Sequence, residues 1–300
     1  MSRKLPARAY EAGCAVRGAI MSRQSVVALA LIAVVGVAVA ITACSRSAAR
    51  NAAAGSGVAA AASEGAGAVQ TSQASTSPAE RVIDRARKDG KYVFLLFYRP
   101  DDRGDAKMKS TFDRAQTRLA KRAALVSIDA SSGVESRLIE KYGIRNAPLP
   151  LTLVMAPNEA IVQAFTKAVD EKTLAGAFAS PKFAEVIKAL QDRKLVTLCL
   201  QGPRTKHNTE SRQAAEQFVD DSRLGGQALL VTADPSKEPD LLKRCGIRSL
   251  PTESTILMLL PPGRLVASVT GGTTKDDLLA KLQAGMAACG SGCGPSGCGP

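Results

Sequence analysis

The chain has 300 residues, room for two ordinary domains but not for a large enzyme assembly. Apolar residues make up 45%, yet only 4% are aromatic and Trp is absent, so Ala, Val and Leu dominate and part of the apolar fraction lies outside any core. Charged residues at 22% exclude a fully disordered chain, one His argues against His-based metal centres and triads, and seven unevenly placed Cys exclude a disulfide-dense scaffold.

In chain order, the first element is not part of a fold. Ser25 to Ala43 reads SVVALALIAVVGVAVAITA, an uncharged apolar run preceded by Arg17 and Arg23. That pattern predicts an export signal or a membrane anchor over residues 1–43. The run ends in Ile41-Thr42-Ala43-Cys44, which resembles the bacterial lipobox, where signal peptidase cuts before a lipidated Cys. The resemblance implies Cys44 as the lipidation site; an uncleaved helix is the alternative. Five basic residues precede the run, and Arg46 and Arg50 follow it. The bias expects an N-terminus inside and a body at the cell envelope, facing the periplasm or exterior. Met21 is a second plausible start, which leaves translation of residues 1–20 open.

Lys plus Arg is 40 against 27 Asp plus Glu, a net +13; losing residues 1–43 takes five bases and one acid and leaves +9. A basic body suits anionic lipid or wall polymer, or is a solvated surface. No aromatic-laced basic patch points to nucleic acid. Residues 44–76 are mainly Ala, Ser, Gly and Gln, too poor in large apolar side chains to offset ordering entropy. They read as a tether reaching roughly 30 Å.

The rest of the chain repeats. SPAERVIDRARKDGKYVFLLF from Ser77 matches SPKFAEVIKALQDRKLVTLCL from Ser180, an offset of 103. Read without a gap, the same offset pairs Pro100 with Pro203, and YGIRNAPLPLTLVM from Tyr142 with CGIRSLPTESTILM from Cys245. Two homologous α/β domains are expected, over 77–179 and 180–286. In each, Ser-Pro opens a helix. A buried strand (92–98; 195–200), a long helix (105–121; 209–221) and a second strand (124–129; 228–233) follow. A helix stopped at Gly143 or Gly246 leads to a strand pair (151–155 with 160–166; 255–260 with 264–269) and a last helix (170–179; 275–285).

This order, with Gly-Ile-Arg-x-x-Pro before the third strand, resembles the thioredoxin fold, whose Pro in this stretch is cis. Tyr142, Gly143, Ile144, Arg145 and Pro148 carry the resemblance in the first repeat; Gly246, Ile247, Arg248, Pro251 and Thr252 carry it in the second. It implies cis bonds before Pro148 and Pro251, and a peptide groove at Ala147, Pro148, Leu250, Pro251 and Thr252 that takes an extended segment by strand addition. Thioredoxins place Cys-Gly-Pro-Cys just after the first central strand. Here the chain reads Arg103-Gly104-Asp105-Ala106 and Lys206-His207-Asn208-Thr209. Neither site offers a thiolate, so the catalysis does not carry over. The expected role is recognition of an envelope protein or peptide. An oxidoreductase working through tail thiols, and a structural spacer, are the rivals.

Of the other residues, Cys199 reads as a buried small hydrophobe, Cys245 as a core filler or a thiol near the groove, and His207 as an exposed loop residue. Asp101, Asp102 and Asp105 read as turn and helix-cap chemistry, since too few oxygen ligands follow for calcium. The C-terminus, AACGSGCGPSGCGP after Met286, is expected to be an extended tail over 287–300. Its Cys289, Cys293 and Cys298 suit one soft ion, such as Cu(I), Zn(II) or Hg(II). A small disulfide, or a repeat without a role, are the alternatives.

Overall fold

The computed structural model describes residues 77–290, with side chains to Ala287. The apolar run over 25–43, Cys44, residues 45–76, Cys293 and Cys298 lie outside the described residues. The described chain divides between Ala179 and Ser180 into two units.

Unit one runs α1 (Pro78–Lys88), β1 (Tyr92–Tyr98), α2 (Arg103–Leu119), β2 (Ala123–Asp129), α3 (Ser136–Lys141), β3 (Leu151–Met155), β4 (Ile161–Phe165) and α4 (Glu171–Ala175). Ser77 caps α1 by accepting from the Glu80 N–H, while the Glu80 carboxylate accepts from the Ser77 N–H at 2.8 Å. Pro78 stands in the first turn, where no N–H is needed. The sheet order is β2-β1-β3-β4, with β1 parallel to β2 and antiparallel to β3. Val93 to Phe97 and the whole of β3 are buried, as a central pair covered on both faces requires. Ile83 and Ala86 of α1, Leu138 and Ile139 of α3, and Ile144 close one face over Leu95 and Phe97.

Unit two repeats the plan with α5 (Pro181–Gln191), β5 (Leu195–Leu200), α6 (Asn208–Val219), β6 (Ala228–Ala233), α7 (Pro239–Arg244), β7 (Thr255–Leu260), β8 (Arg264–Thr270) and α8 (Lys275–Gly290). Its sheet order is β6-β5-β7-β8, with the same strand senses.

Three expectations need correction. The gapless repeat is broken on either side of the second strand and again before the third, where Leu151 and Thr255 differ by 104. Tyr92 pairs with Ala123 and its counterpart Leu195 with Ala228, so the second strand sits two residues beyond the 103 offset. The added length lies between α6 and β6, where Gly225 and Gly226 both have left-handed φ, 56° and 72°. It is recovered after β6, because buried Glu135 and Glu238 again differ by 103. The last helix of unit one is also shorter than expected. Gly176 caps it, and the chain then turns so that Phe178 packs edge-on against Tyr92 and Phe94 beneath the Arg122 guanidinium, 3.8 Å from its ring centroid. Finally, α8 continues through Ala287 and Ala288 to Gly290. Alanine favours helix, so Cys289 sits in the last turn and not in an extended tail.

Candidate functional site

The site worth building lies where the first central strand of each unit meets the long helix, beside the approach to the third strand. In unit one the loop Arg99–Asp102 is tied to the start of α2. Asp102 is the N-cap, accepting from the Gly104 and Asp105 N–H groups at 2.7 and 3.1 Å. Asp105 is more than a cap. Its side chain is fully buried, and Oδ2 accepts from the Arg99 N–H at 2.7 Å. Oδ1 is buried without a hydrogen-bond partner among the described residues.

Unit two builds the same corner with neutral groups. Thr205, buried at the loop, accepts from the Gly202 N–H at 2.8 Å and donates to Asn208. The Asn208 amide donates to the Gly202 carbonyl at 2.9 Å. His207, exposed and at φ 61°, puts Nδ1 3.0 Å from Glu210 Oε2. Lys206 then crosses to the third-strand approach. Its N–H donates to the Thr252 carbonyl at 3.0 Å, and its own carbonyl accepts from the Ser254 N–H at 2.9 Å.

The prolyl expectation is overturned. Among the described residues the cis bonds are Leu149–Pro150 and Pro261–Pro262, not those before Pro148 and Pro251. Strand register gives the reason. Leu151 lies opposite Phe97, so Pro150 and not Pro148 directly precedes β3. Thr255 lies opposite Leu200, so Ser254 holds that place in unit two and Pro251 stands three residues further out. Ala147 packs against the core and donates its N–H to the Ile144 carbonyl, while Pro148 is exposed. Leu149 is packed against the core, but its backbone N–H and C=O, and the Pro148 C=O, have no partner among the described residues. In unit two Leu250 is 53% exposed, and the Thr252 carbonyl is spent on Lys206.

Neither described thiol is set up as a nucleophile. Burial pushes Cys199 up from its ordinary value, with its Sγ 3.8 Å from Ser254 Oγ. Burial also pushes Cys245 up to about 11. Both are free. Among the described residues no group of three or more His, Cys, Asp or Glu side chains is placed to hold a metal ion, and no helix is long and apolar enough to cross a membrane.

Parallel and antiparallel neighbours around one central strand, a helix on entry and a loop-to-helix corner after it recur in both halves. Both units have the thioredoxin-like fold. The chain is similar to several solved structures. Human ERp44 is 13% identical, covering 70% of this chain and 56% of that one at a TM-score of 0.30. The first two thioredoxin domains of Saccharomyces cerevisiae Eps1p are 8% identical, covering 67% and 95% at 0.27. The germline-specific thioredoxin Deadhead of Drosophila melanogaster is 21% identical, covering 34% and 90% at 0.28. At these scores the fold rests on strand order and register. No protein-family model and no curated protein matches the chain.

Sequence reasoning missed Leu149, Lys206 and the pair Glu135 and Glu238. Glu135 accepts from the Ala79 N–H at 3.1 Å at the start of α1, where a carboxylate favours the helix dipole. The signal was available, since a Glu recurs at the 103 offset. Nothing in the sequence marks Lys206, because its bonds are made by backbone alone.

Proposed function

We propose that the chain is a non-catalytic envelope protein whose first unit binds an extended segment of a protein or peptide partner. The observation that carries this is the difference between the two third-strand approaches. In unit two Lys206 bridges the stretch 252–254, so the Thr252 carbonyl and the Ser254 N–H are spent within the fold. In unit one the Pro148 C=O and both Leu149 backbone groups are open, on a residue held in place by its buried side chain. An extended segment laid there gains backbone hydrogen bonds at little ordering cost to the protein. The absence of Cys at Arg103–Ala106 and Lys206–Thr209 fits binding without thiol exchange.

The proposal keeps Cys44 as a lipidated anchor and Cys289, Cys293 and Cys298 as a soft-ion site. Intact mass of the membrane-extracted chain reads both. It should start at acylated Cys44, and a bound Cu(I) should vanish when the three tail Cys are replaced by Ser.

Hydrogen exchange tests the central claim on the full chain, with an unfolded, alkylated protein as the extended probe. The Leu149 amide should exchange fast alone and slow by about tenfold or more with probe, while the already bonded Ser254 amide changes little. Leu149→Pro should abolish probe binding. Binding that leaves Leu149 exchange unchanged would place recognition elsewhere.

A further inference from the structure

We infer that the cleft between α2 and α4 of unit one is a binding site for a linear, phosphate-bearing polyanion. The inference is independent of the peptide edge at Leu149. The cleft has a volume of about 540 Å³, and Lys107, Arg114, Arg118 and Lys172 line it against Asp170 and Glu171. On α2, Lys107, Arg114 and Arg118 fall within about 40° of one another, and Arg103 extends the stripe one turn towards the N-terminus. The stripe spans about 22 Å along the helix axis, so an extended occupant meets several charges at once. The only other lining side chains are Thr111, Ala168 and Val169, which give an apolar peptide side chain little to enter.

The two carboxylates offset two of the four lining cations and leave an excess of positive charge. Asp170 is committed to the start of α4, where it accepts from the Thr173 N–H at 2.8 Å. Glu171 holds both guanidiniums, accepting from Arg114 Nε at 3.0 Å and Arg118 Nη1 at 3.1 Å. Arg114 is fixed further by donating to Ser110 Oγ at 2.8 Å. The ammonium groups of Lys107 and Lys172 make no hydrogen bond or ion pair among the described residues. The site therefore offers positioned guanidiniums flanked by ammonium groups that make no hydrogen bond, Lys172 acting on Asp170 only at a distance, a set that suits oxyanions repeated along a chain.

Unit two shows that the fold does not require these cations. At the 103 offset unit two carries Glu210, Gln217 and Asp221 where unit one has Lys107, Arg114 and Arg118, and its last helix opens with Lys275 where that of unit one opens with Glu171. Gln217, Asp221 and Lys275 line its cleft. The ion pair persists with its sign reversed, Lys275 Nζ lying 3.3 Å from Asp221 Oδ2. A bridge between long helix and last helix is structural, whereas its polarity is free. The excess of positive charge in unit one is thus a property of that unit. A flat bilayer cannot reach both walls of a cleft. The residues outside 77–290 supply only two acids, Glu11 and Glu64, too few for the chain's own ends to be the occupant.

The experiment uses the full chain in detergent, with long-chain inorganic polyphosphate as probe and polyglutamate as comparator. Polyphosphate should bind more tightly than polyglutamate, and its affinity should fall by about tenfold or more from low to physiological salt. Lys107→Gln with Lys172→Gln should weaken it by about tenfold, because both ammonium groups are free to contact it. Lys243→Gln with Arg248→Gln, which removes the same charge from exposed positions of unit two, should leave it within about twofold. Equal loss in the two pairs would show attraction to net charge alone and overturn the site. So would polyglutamate binding as tightly as polyphosphate, or concentration-dependent self-association in place of polyphosphate binding.

Discussion

Arg99 and Asp105 of unit one stand where Gly202 and Asn208 stand in unit two, and each pair ties the same corner with one hydrogen bond. The direction is opposite. The Arg99 N–H donates to a buried carboxylate, whereas the Gly202 carbonyl accepts from a side-chain amide. The backbone there offers both a donor and an acceptor, and either can be used. What the fold demands is a tie between the end of the central strand and the first turn of the long helix. Its chemistry is left free, and each unit has spent that freedom differently. Unit one keeps a charged, open corner, while unit two closes its own with Lys206.

The largest test of this comparison lies in the core. Phe112 and Ala115 are buried on α2; at the same offset α6 buries Ala215 and Phe218, ring and methyl exchanged. Phe112→Ala should destabilise unit one by about 3–5 kcal/mol. Adding Ala115→Phe restores the volume but places the ring in a cavity shaped for a methyl, so stability should not return. Native-state hydrogen exchange resolves the units separately. Full recovery in the double variant would mean that the two cores are interchangeable.

Smaller effects are expected at the corner. Asp105→Ala strands the Arg99 N–H and should cost roughly 1–3 kcal/mol, confined to unit one. Asp105→Asn keeps an acceptor oxygen and copies the neutral side chain of unit two, so it should cost less than about 1 kcal/mol. If the two variants lose equally, the charge matters and not the acceptor, and the equivalence with Asn208 fails.

The smallest effect is alkaline. Tyr142 and Cys245 occupy equivalent places, and burial pushes the first up to about 12 and the second up to about 11. Cys245 is favoured in its neutral form by the fold, against an ordinary thiol value of 9.0. Its contribution is whole below about pH 9 and is lost as pH rises through about 11. Circular dichroism melts should show this loss, and Cys245→Ser should flatten it. At neutral pH, Cys245 should resist alkylation by iodoacetamide. Rapid labelling there would mean an exposed or activated thiol.

Much of the fold was legible because local chemistry repeats. Ser77 and Ser180 before Pro, the apolar runs at 92–98 and 195–200, and Gly143 and Gly246 as helix stops all mark their elements within a few residues. The site was less legible. Which proline precedes the third strand depends on the pairing of Leu151 with Phe97, a contact between residues far apart in sequence. The Lys206 bridge is made of backbone, which carries no residue signature. Asp105 looked like one more turn acid beside Asp101 and Asp102; only the packing of α2 distinguishes the buried carboxylate from the exposed ones. The last helix of unit one was overrun because Phe178 leaves the helix to find Tyr92 and Phe94.

The paired length changes around β6 carry one more consequence. Side chains along a strand alternate between two sides, so a slip of one residue turns a strand inside out, whereas a slip of two preserves its parity. Val126 and Ile128 of β2 are buried, as are Val231 and Ala233 two residues past the repeat offset in β6. An even insertion on one side of the strand and an even deletion on the other let the strand slide without exposing its inward face. Tandem copies of this kind can therefore drift in even steps, under cover of an unchanged hydrophobic pattern.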